Sequence, residues 1–303
     1  MNGNINDVLL TSPLGTADKI NRMVQLIEKS PGLLVVVDHL HQVELYQEAA
    51  RSANQTLNVL VDIDVGDCRT GVSPEQPALE LALTVDRSRN LNFRGLQAYS
   101  GISSHVVGFE HRRAHSLKVM SPVLETREQL IAKGLPVEIL SGGSTGTYNI
   151  DIDLDGLTEL QVGSYIYMDI GYHQIGGWES PNYEDFGFSL TVLTSVVSVN
   201  QNDQVTLDAG IKAFATDQTF GPKAKDLKGV NYKWKGDEFG AIIFDSPNHN
   251  IKLGKRLEFI VPHCDPTVNL YEKVYACRGE KVVEVWSIMD RLKNLQGEHT
   301  RIN

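Results

Sequence analysis

Apolar runs and amphipathic stretches alternate along the first half of the chain. Residues 33–38 form an unbroken run of leucine and valine that ends in aspartate, which is typical of a strand buried on both faces of a sheet. Residues 17–28 instead place their apolar side chains at helical spacing. The same alternation predicts strands at 8–11, 33–38, 58–64, 93–99, 136–141 and 160–168, and helices at 17–28, 43–53, 74–87 and 108–132. Strand–helix alternation of this kind indicates a parallel sheet.

The predicted fold class is α/β followed by β. Six strands are two fewer than a closed (β/α)8 barrel contains, so the first half is expected to form an incomplete barrel. After Gly171 the pattern changes to strand-like runs separated by turn residues, at 188–199, 204–208, 241–244, 257–261 and 281–286. These predict an antiparallel β domain. We place the boundary between the domains at 178, which gives domains 1–178 and 179–303.

Composition narrows the class of partner. The net charge is −10, which argues against nucleic acid or an anionic membrane as the main partner but leaves room for a local phosphate pocket. The three cysteines, Cys68, Cys264 and Cys277, are scattered and do not form a disulfide framework, so a reducing cytoplasm is expected. Neither a secretory signal nor a membrane-spanning run is visible in the sequence.

One stretch in the second half concentrates metal-binding chemistry. His263, Cys264 and Asp265 are consecutive, with prolines on both sides. In an extended backbone His263 and Asp265 would point the same way and Cys264 the opposite way. A neutral imidazole and a carboxylate held together suit a divalent metal. From local chemistry alone, a polar turn with a buried cysteine is the simpler explanation, because a short His/Asp pair is a weak metal signal.

Small polar residues follow two neighbouring predicted strands. The fifth strand ends in the run 141–148, in which glycines and hydroxyl side chains could cradle a phosphate. The sixth contains Gly163, Ser164 and Tyr165. We expect one phosphate held between these two turns and facing the His263–Asp265 stretch across a shared cleft, although ordinary small-residue turns would show the same pattern.

Other polar residues carry weaker signals. Arg69 follows the third strand and could anchor an anion or a phenolic oxygen, and Tyr99 ends the fourth strand, where it could stack on a ring. Lys212 is the most suggestive lysine for an imine, and it could also pair with Asp208. The pair 112–113 is interpreted as part of an ordinary charged helix face.

Taken together, these motifs resemble the family of D-threonine aldolases, D-serine dehydratases and 3-hydroxy-D-aspartate aldolases. That family combines an alanine racemase-type pyridoxal-phosphate barrel with a C-terminal D-serine dehydratase-like β domain. The resemblance runs from about Asp7 to Trp286. It is carried by 64–72, 96–99, 141–148, 160–169, 208–213, 236–238, 278–279 and, most specifically, 261–271.

The resemblance implies specific roles for these residues. It assigns the cofactor phosphate to Thr145, Gly163 and Ser164, with Ser144 and Tyr165 beside them. Tyr99 and Tyr172 would line the pyridine pocket, and Arg69 would lie near the phenolic oxygen, so Arg69 and Tyr99 are the catalytic candidates. His263 and Asp265 would bind a divalent metal (Mn²⁺, Mg²⁺ or Zn²⁺) that grips the β-hydroxyl of a small D-amino acid substrate. A homodimer is implied as well.

Two details decide between branches of the family. By the same resemblance, the dehydratase branch would bind its metal through a His-x-Cys motif. This chain has Asp265 in the third position of that motif, which favours retro-aldol cleavage to glycine and an aldehyde. D-serine dehydration to pyruvate and ammonia is the alternative. The family pattern Gly-Asp-Glu-His-Gly also ends differently here, because Phe239 replaces its histidine.

A larger departure concerns the start of the barrel. The family's cofactor-linking lysine belongs to the first barrel strand, and motif alignment begins this chain at the third strand. The sequence therefore predicts an N-terminally truncated or degenerate member that lacks two strands and the lysine. A non-catalytic remnant that binds cofactor or metal without turnover is a further alternative.

Overall fold

The computed structural model describes residues 5–246 and 250–288. The chain divides into two compact units, Met1–Gly163 and Ser164–Asn303. The division falls 15 residues before the boundary at 178 that the sequence predicts, because residues 164–178 pack with the second unit.

The first unit contains a parallel sheet whose six strands are neighbours in chain order, as the sequence predicts. They are β1 (Leu9–Leu10), β2 (Leu34–Val37), β3 (Leu57–Asp62), β4 (Leu91–Ala98), β5 (Ile139–Gly142) and β6 (Glu159–Leu160). Each pair is parallel, so all carboxyl ends lie along one edge. The predicted half-barrel of alanine racemase type is therefore confirmed, although β6 has two residues and not nine.

Helices connect these strands and cover the sheet. They are α1 (Ala17–Ile27), α2 (Leu40–Ser52), α3 (Gln76–Arg87), the one-turn α4 (Gly101–Ser104), α5 (Phe109–Ala132) and the one-turn α6 (Tyr148–Asp151). The apolar stripe of α1 and the valines of β2 are buried in one core, which is why these patterns predicted the elements correctly. None of the helices among the described residues is long and apolar enough to cross a membrane.

The second unit is built on an antiparallel sheet with the order β10-β11-β8-β7-β12-β9. Its strands are β7 (Thr191–Ser198), β8 (Gln204–Leu207), β9 (Lys223–Ala224), β10 (Val230–Trp234), β11 (Gly240–Phe244) and β12 (Arg256–Ile260). A separate hairpin joins β13 (Lys273–Arg278) to β14 (Lys281–Ser287). The sequence pattern missed β9, β10 and β13, since they are short or carry alternating charged residues.

An aromatic cluster forms the core of the second unit. The ring centroid of Phe214 lies 5.9 Å from Tyr232, 6.3 Å from Trp234 and 6.3 Å from Phe259, with edge-to-face geometry. Burial raises the pKa of Tyr232, whose hydroxyl donates to the carbonyl of Ala209 at 2.6 Å. This core supports the strand end from which the candidate metal ligands emerge.

Candidate functional site

The loop that follows β5 is a tight turn with buried side chains. The N–H of Thr147 donates to the Ser144 carbonyl at 3.2 Å, which closes the turn. The N–H of Ser144 donates to Thr147 Oγ1 at 3.1 Å, and the two hydroxyls lie 2.9 Å apart. Ser144, Thr145 and Thr147 are all buried. We call residues 144–147 the phosphate loop, after the prediction that led to them.

Glycine is required inside the phosphate loop for reasons of space. A Cβ on Gly146 would lie 2.0 Å from the Ser104 carbonyl oxygen, at the end of α4. Gly143, just before the loop, has φ +67, which L-residues rarely adopt. The small residues of the run are therefore dictated by close backbone packing, and this is also the feature that lets peptide N–H groups approach an anion.

Two buried charged side chains contact the loop from outside it. The guanidinium of Arg112, on α5, donates through Nε to the Gly146 carbonyl at 2.7 Å. Asp151, on α6, accepts hydrogen bonds from Thr147 Oγ1 and from Ser116 Oγ. The sequence interpretation of Arg112 as part of an exposed charged face is wrong, because its side chain is fully buried.

Arg69 and Tyr99 lie together at the carboxyl edge of the parallel sheet. The guanidinium carbon of Arg69 is 5.1 Å from the centroid of the Tyr99 ring, within cation–π range. Asp64 Oδ1 accepts from the N–H groups of Gly66 and Cys68 at 2.9 Å and 3.0 Å, which shapes the turn that presents Arg69. Arg69 is exposed and Tyr99 is half-buried, so both can reach a ligand at this edge.

The residues that follow β6 do not continue the strand. Ser164–Ile166 forms a 3-10 helix instead, and Gly163 before it is exposed with open space around its Cα. Tyr165 packs on Phe186 with ring centroids 5.5 Å apart. Tyr172 is buried, and its ring centroid lies 6.5 Å from that of Tyr183.

His263 and Asp265 converge, although not through the extended backbone that the sequence suggested. Only His263 is extended; it is the N-cap of the helix α8 (Cys264–Val268), so Asp265 lies in the first helical turn. Its Oδ2 is 3.4 Å from His263 Nε2. The same oxygen accepts a hydrogen bond from Ser164 Oγ at 3.2 Å. We call His263 and Asp265 the metal pair, after the prediction for these two residues. Ser164, which the sequence assigned to the phosphate, contacts this pair, and the sequence did not anticipate that contact.

A third residue, Asp217, orients the histidine. Its Oδ2 lies 2.6 Å from His263 Nδ1, which leaves Nε2 directed toward Asp265. Hydrogen bonds that the His263 ring donates to Asp265 and Asp217 raise the pKa of His263 to about 9, against the opposing effect of burial. The hydrogen bond to His263 lowers the pKa of Asp265. Asp217 is 46 positions from His263, and no local spacing in the sequence could have linked the two.

Cys264 lies beside this pair, and its thiol donates to Asp265 Oδ2 at 3.6 Å. It is buried, and burial raises the pKa of its thiol, so the thiolate is disfavoured. Its N–H donates to Asp169 Oδ2 at 2.8 Å, while the other oxygen of Asp169 caps the next helix, α7 (Ile170–His173). Asp169 thus fixes the start of α8 and with it the positions of His263 and Asp265.

Lys212 does not pair with Asp208, the partner that the sequence suggested. Its ammonium pairs with Glu238, not Asp208, and both partners are exposed. Asp208 Oδ1 instead accepts from the N–H of Ser195 at 2.7 Å. Phe239, beside Glu238, is also exposed.

The comparisons with known proteins agree with this architecture. The sequence model described as "Alanine racemase, N-terminal domain" matches residues 8–170, and the one described as "Putative serine dehydratase domain" matches residues 189–277. Fold and matches together define the class, namely proteins that join an alanine racemase N-terminal domain to a β domain of the serine dehydratase type.

Individual relatives place the chain more closely. It is similar to a 3-hydroxy-D-aspartate aldolase of Paracoccus denitrificans (strain Pd 1222), at 32% identity over 293 residues, 96% of this chain and 75% of the relative. A D-threonine aldolase of Arthrobacter sp is 32% identical over 288 residues, 95% of this chain and 74% of the relative. The crystal structure of D-threonine aldolase from Filomicrobium marinum superimposes with a TM-score of 0.88 at 30% identity, covering 93% of this chain and 75% of that one.

The chain belongs to the family of D-threonine and 3-hydroxy-D-aspartate aldolases. The resemblance inferred from the motifs is thereby confirmed.

Proposed function

We propose that this chain is a pyridoxal-phosphate- and divalent-metal-dependent aldolase that acts on small D-3-hydroxy amino acids. The observation that carries the proposal is the His263–Asp265 pair, oriented by Asp217, in a chain that is 32% identical to a 3-hydroxy-D-aspartate aldolase. Retro-aldol cleavage would yield glycine and an aldehyde.

The phosphate loop fits the phosphate of the cofactor. Its turn is closed by hydrogen bonds among Ser144 and Thr147, and among the described residues the N–H of Gly146 has no hydrogen-bond partner. A peptide N–H at the tip of a tight, glycine-containing turn is a suitable donor to an anion. We propose that Ser144, Thr145 and Gly146 contact the phosphate, joined by Gly163, Ser164 and Tyr165.

Arg69, Tyr99 and Tyr172 suit the cofactor ring. The cation of Arg69 would hold the phenolic oxygen in its ionised form, while the tyrosine rings would limit the tilt of the pyridine.

The described residues of the first unit do not supply the covalent anchor. The lysines of that unit are Lys19, Lys29, Lys118 and Lys133, and all four are exposed on helices or at helix ends. None directly follows a strand, so none of the four is placed to form an imine with the cofactor.

His263 and Asp265 fit two ligand positions of a divalent cation. Ligand atoms about 2.1 Å from a metal at tetrahedral angles lie about 3.4 Å apart, the separation of Nε2 and Oδ2 here. Asp217 on the far ring nitrogen is the outer contact that metal-binding histidines usually have. Residues 5–246 and 250–288 contain no group of three or more His, Cys, Asp or Glu side chains that could hold a metal ion. Substrate and water would therefore complete the coordination.

The residues then have distinct tasks. When bound, the cofactor ring withdraws electrons from Cα of the substrate, and the metal polarises the β-oxygen. His263 and Asp265 would hold the metal, Asp217 would keep the imidazole tautomer fixed, and Ser164 would hold the carboxylate of Asp265 in place. A histidine at position 239 would have offered proton transfer, whereas Phe239 offers only an apolar surface.

The decisive experiment measures products. The sequence predicts that the chain as given is inactive, because the lysine link is missing, so it is assayed beside a version preceded by a lysine-containing strand. With pyridoxal phosphate and Mn²⁺, the extended version should convert D-threonine to glycine and acetaldehyde, and H263A and D265A in that version should lose this activity. H173A, which changes a histidine outside the pair, is the matched control. If glycine does not form from either D-threonine or 3-hydroxy-D-aspartate, the aldolase assignment is wrong.

Dehydration is the second candidate, favoured by the match of residues 189–277 to a serine dehydratase domain. Pyruvate formed from D-serine without glycine would establish it. If the chain binds cofactor or metal but forms neither product, the non-catalytic alternative holds.

We also propose a cytoplasmic homodimer. The free thiols of Cys68, Cys264 and Cys277 suit a reducing compartment, and the family resemblance supplies the dimer. Light scattering on the purified chain would test the oligomeric state.

A further inference from the structure

Two buried charged residues of opposite sign hold the phosphate loop although neither belongs to it. Arg112 comes from α5 and Asp151 from α6, and their side chains are almost wholly inaccessible to water. Burying an arginine cation or a carboxylate costs free energy unless polar partners compensate it. Each of them makes a hydrogen bond to the loop, Arg112 to the Gly146 carbonyl and Asp151 to Thr147 Oγ1.

Arg112 fixes one peptide group of the loop. Its Nε donates to the Gly146 carbonyl at 2.7 Å, and its Nη1 donates to the Val106 carbonyl at 3.0 Å. A planar guanidinium with two directed donors sets the orientation of the peptide group it contacts, which a lysine ammonium cannot match. The Gly146 carbonyl shares its peptide group with the N–H of Thr147, which donates to the Ser144 carbonyl at 3.2 Å, so Arg112 holds the peptide group that closes the turn.

Asp151 fixes the hydroxyls of the loop. One carboxylate oxygen accepts from Thr147 Oγ1, and the other accepts from Ser116 Oγ at 2.5 Å. Thr147 Oγ1 in turn lies 2.9 Å from Ser144 Oγ and accepts the N–H of Ser144 at 3.1 Å. Because the proton of the Thr147 hydroxyl is committed to Asp151, this oxygen can only accept from Ser144.

The residues of α5 that contact Gly146 and Asp151, namely Arg112 and Ser116, lie on one face of that helix. Arg112 and Ser116 are one helical turn apart, within a buried stripe that also contains Phe109 and Met120. In the sequence, a basic and a hydroxyl residue interrupting an apolar stripe are the signal of this arrangement. An apolar side chain at position 112 would pack this helix without the free-energy cost of burying a guanidinium.

We propose that Arg112 and Asp151 are positioning residues that preorganise the phosphate loop for its anion. The inference rests on the proposed function and deepens it. Arg112 holds the peptide group between Gly146 and Thr147, and Asp151, through Thr147 Oγ1, holds the hydroxyl and N–H of Ser144. The backbone on both sides of the loop tip is thereby fixed, so an anion meets a Gly146 N–H that is already oriented, which lowers the cost of binding.

The test measures the affinity of the full chain for inorganic phosphate and for pyridoxal phosphate by titration calorimetry. T147V and R112K should each weaken both affinities about 10- to 100-fold, as the loss of outer contacts does at metal sites. T147S keeps the hydroxyl and should bind within about twofold of wild type. R113K on α5 and D153N, two residues after the end of α6, change exposed side chains and should leave both affinities unchanged.

A second readout separates positioning from general damage to the fold. Near-UV circular dichroism and Mn²⁺ affinity at His263 and Asp265 should be the same in T147V, R112K and wild type. If Mn²⁺ affinity and the near-UV spectrum fall together with phosphate affinity, the positioning role is overturned in favour of a structural one.

The remaining outcomes separate this inference from the proposed function. If wild type binds pyridoxal phosphate and T147V and R112K bind it equally well, the inference fails while the proposed function stands. If wild type binds neither phosphate nor pyridoxal phosphate, the assignment of the loop fails, and the inference fails with it.

Discussion

The two candidate binding regions are organised in opposite ways. The phosphate loop, residues 144–147, is buried, and buried charges on α5 and α6 hold it. At the metal pair, 27% of the His263 side chain and 67% of the Asp265 side chain are exposed. The loop is therefore rigid before a ligand arrives, whereas the pair can adjust to a cation. Substitutions in the phosphate loop should lower both the free energy of unfolding and the affinity for phosphate. Substitutions at the metal pair should lower only the affinity for the metal.

Gly146→Ala should have the largest effect on the free energy of unfolding, because it adds a methyl group inside the buried phosphate loop. The added methyl group would meet the Ser104 carbonyl oxygen at 2.0 Å, so the backbone must move. We expect the free energy of unfolding in urea to fall by about 3 kcal/mol. Gly15→Ala is the matched control, since no atom lies within 4 Å of a Cβ at that position. Equal stability of the two variants would show that the loop is not tightly packed.

Asp217→Asn should separate binding from stability at the metal pair. It keeps an acceptor beside His263 Nδ1 but removes the negative charge that strengthens the imidazole as a ligand. Mn²⁺ affinity, followed by electron paramagnetic resonance, should fall about 10- to 100-fold. The urea midpoint should stay near that of wild type, and Asp226→Asn, an exposed carboxylate elsewhere, should change neither quantity. Unaltered Mn²⁺ affinity in Asp217→Asn would remove Asp217 from the site.

Asp151→Asn should reveal the buried carboxyl through the pH dependence of stability. Burial raises the pKa of Asp151, with the hydrogen bonds from Ser116 and Thr147 opposing it. A carboxyl group whose pKa is higher in the folded state than in the unfolded state stabilises the fold when it is protonated. This stabilisation is complete at pH values below the unfolded-state pKa and is lost as the pH rises through the folded-state pKa. Wild type should therefore gain stability relative to Asp151→Asn as pH is lowered from 7 toward 3.8.

Urea titrations of both proteins at several pH values measure this difference. Asp153→Asn, an exposed change, should run parallel to wild type. A difference between wild type and Asp151→Asn that shrinks on acidification would reverse the assigned direction.

Ser164→Ala should have the smallest effect. It removes one hydrogen bond to the partly exposed Asp265, worth about 1 kcal/mol. Mn²⁺ affinity should fall about fivefold, which is that free energy expressed as a ratio. Ser287→Ala on the exposed hairpin should have no effect. A loss as large as that of Asp217→Asn would indicate that Ser164 contacts the cation directly.

Local pattern was sufficient for much of this molecule. The continuous apolar run at β2 and the helical stripe of α1 need no distant partner to be recognised, because burial on a sheet or against a helix imposes their periods. The pattern failed at β9 and at the 3-10 turn of Ser164–Ile166, where residues outside the segment decide the backbone.

The sequence by itself determined the parallel half-barrel, the antiparallel β domain, the family and the residue types of both sites. Tertiary structure alone decided that Arg112 is buried, that Asp217 lies on His263 across 46 positions, and that Ser164 contacts Asp265. The physical reason is that periodicity reports which face of an element is buried, whereas a hydrogen bond between distant residues depends on how the elements pack, and no local pattern records that.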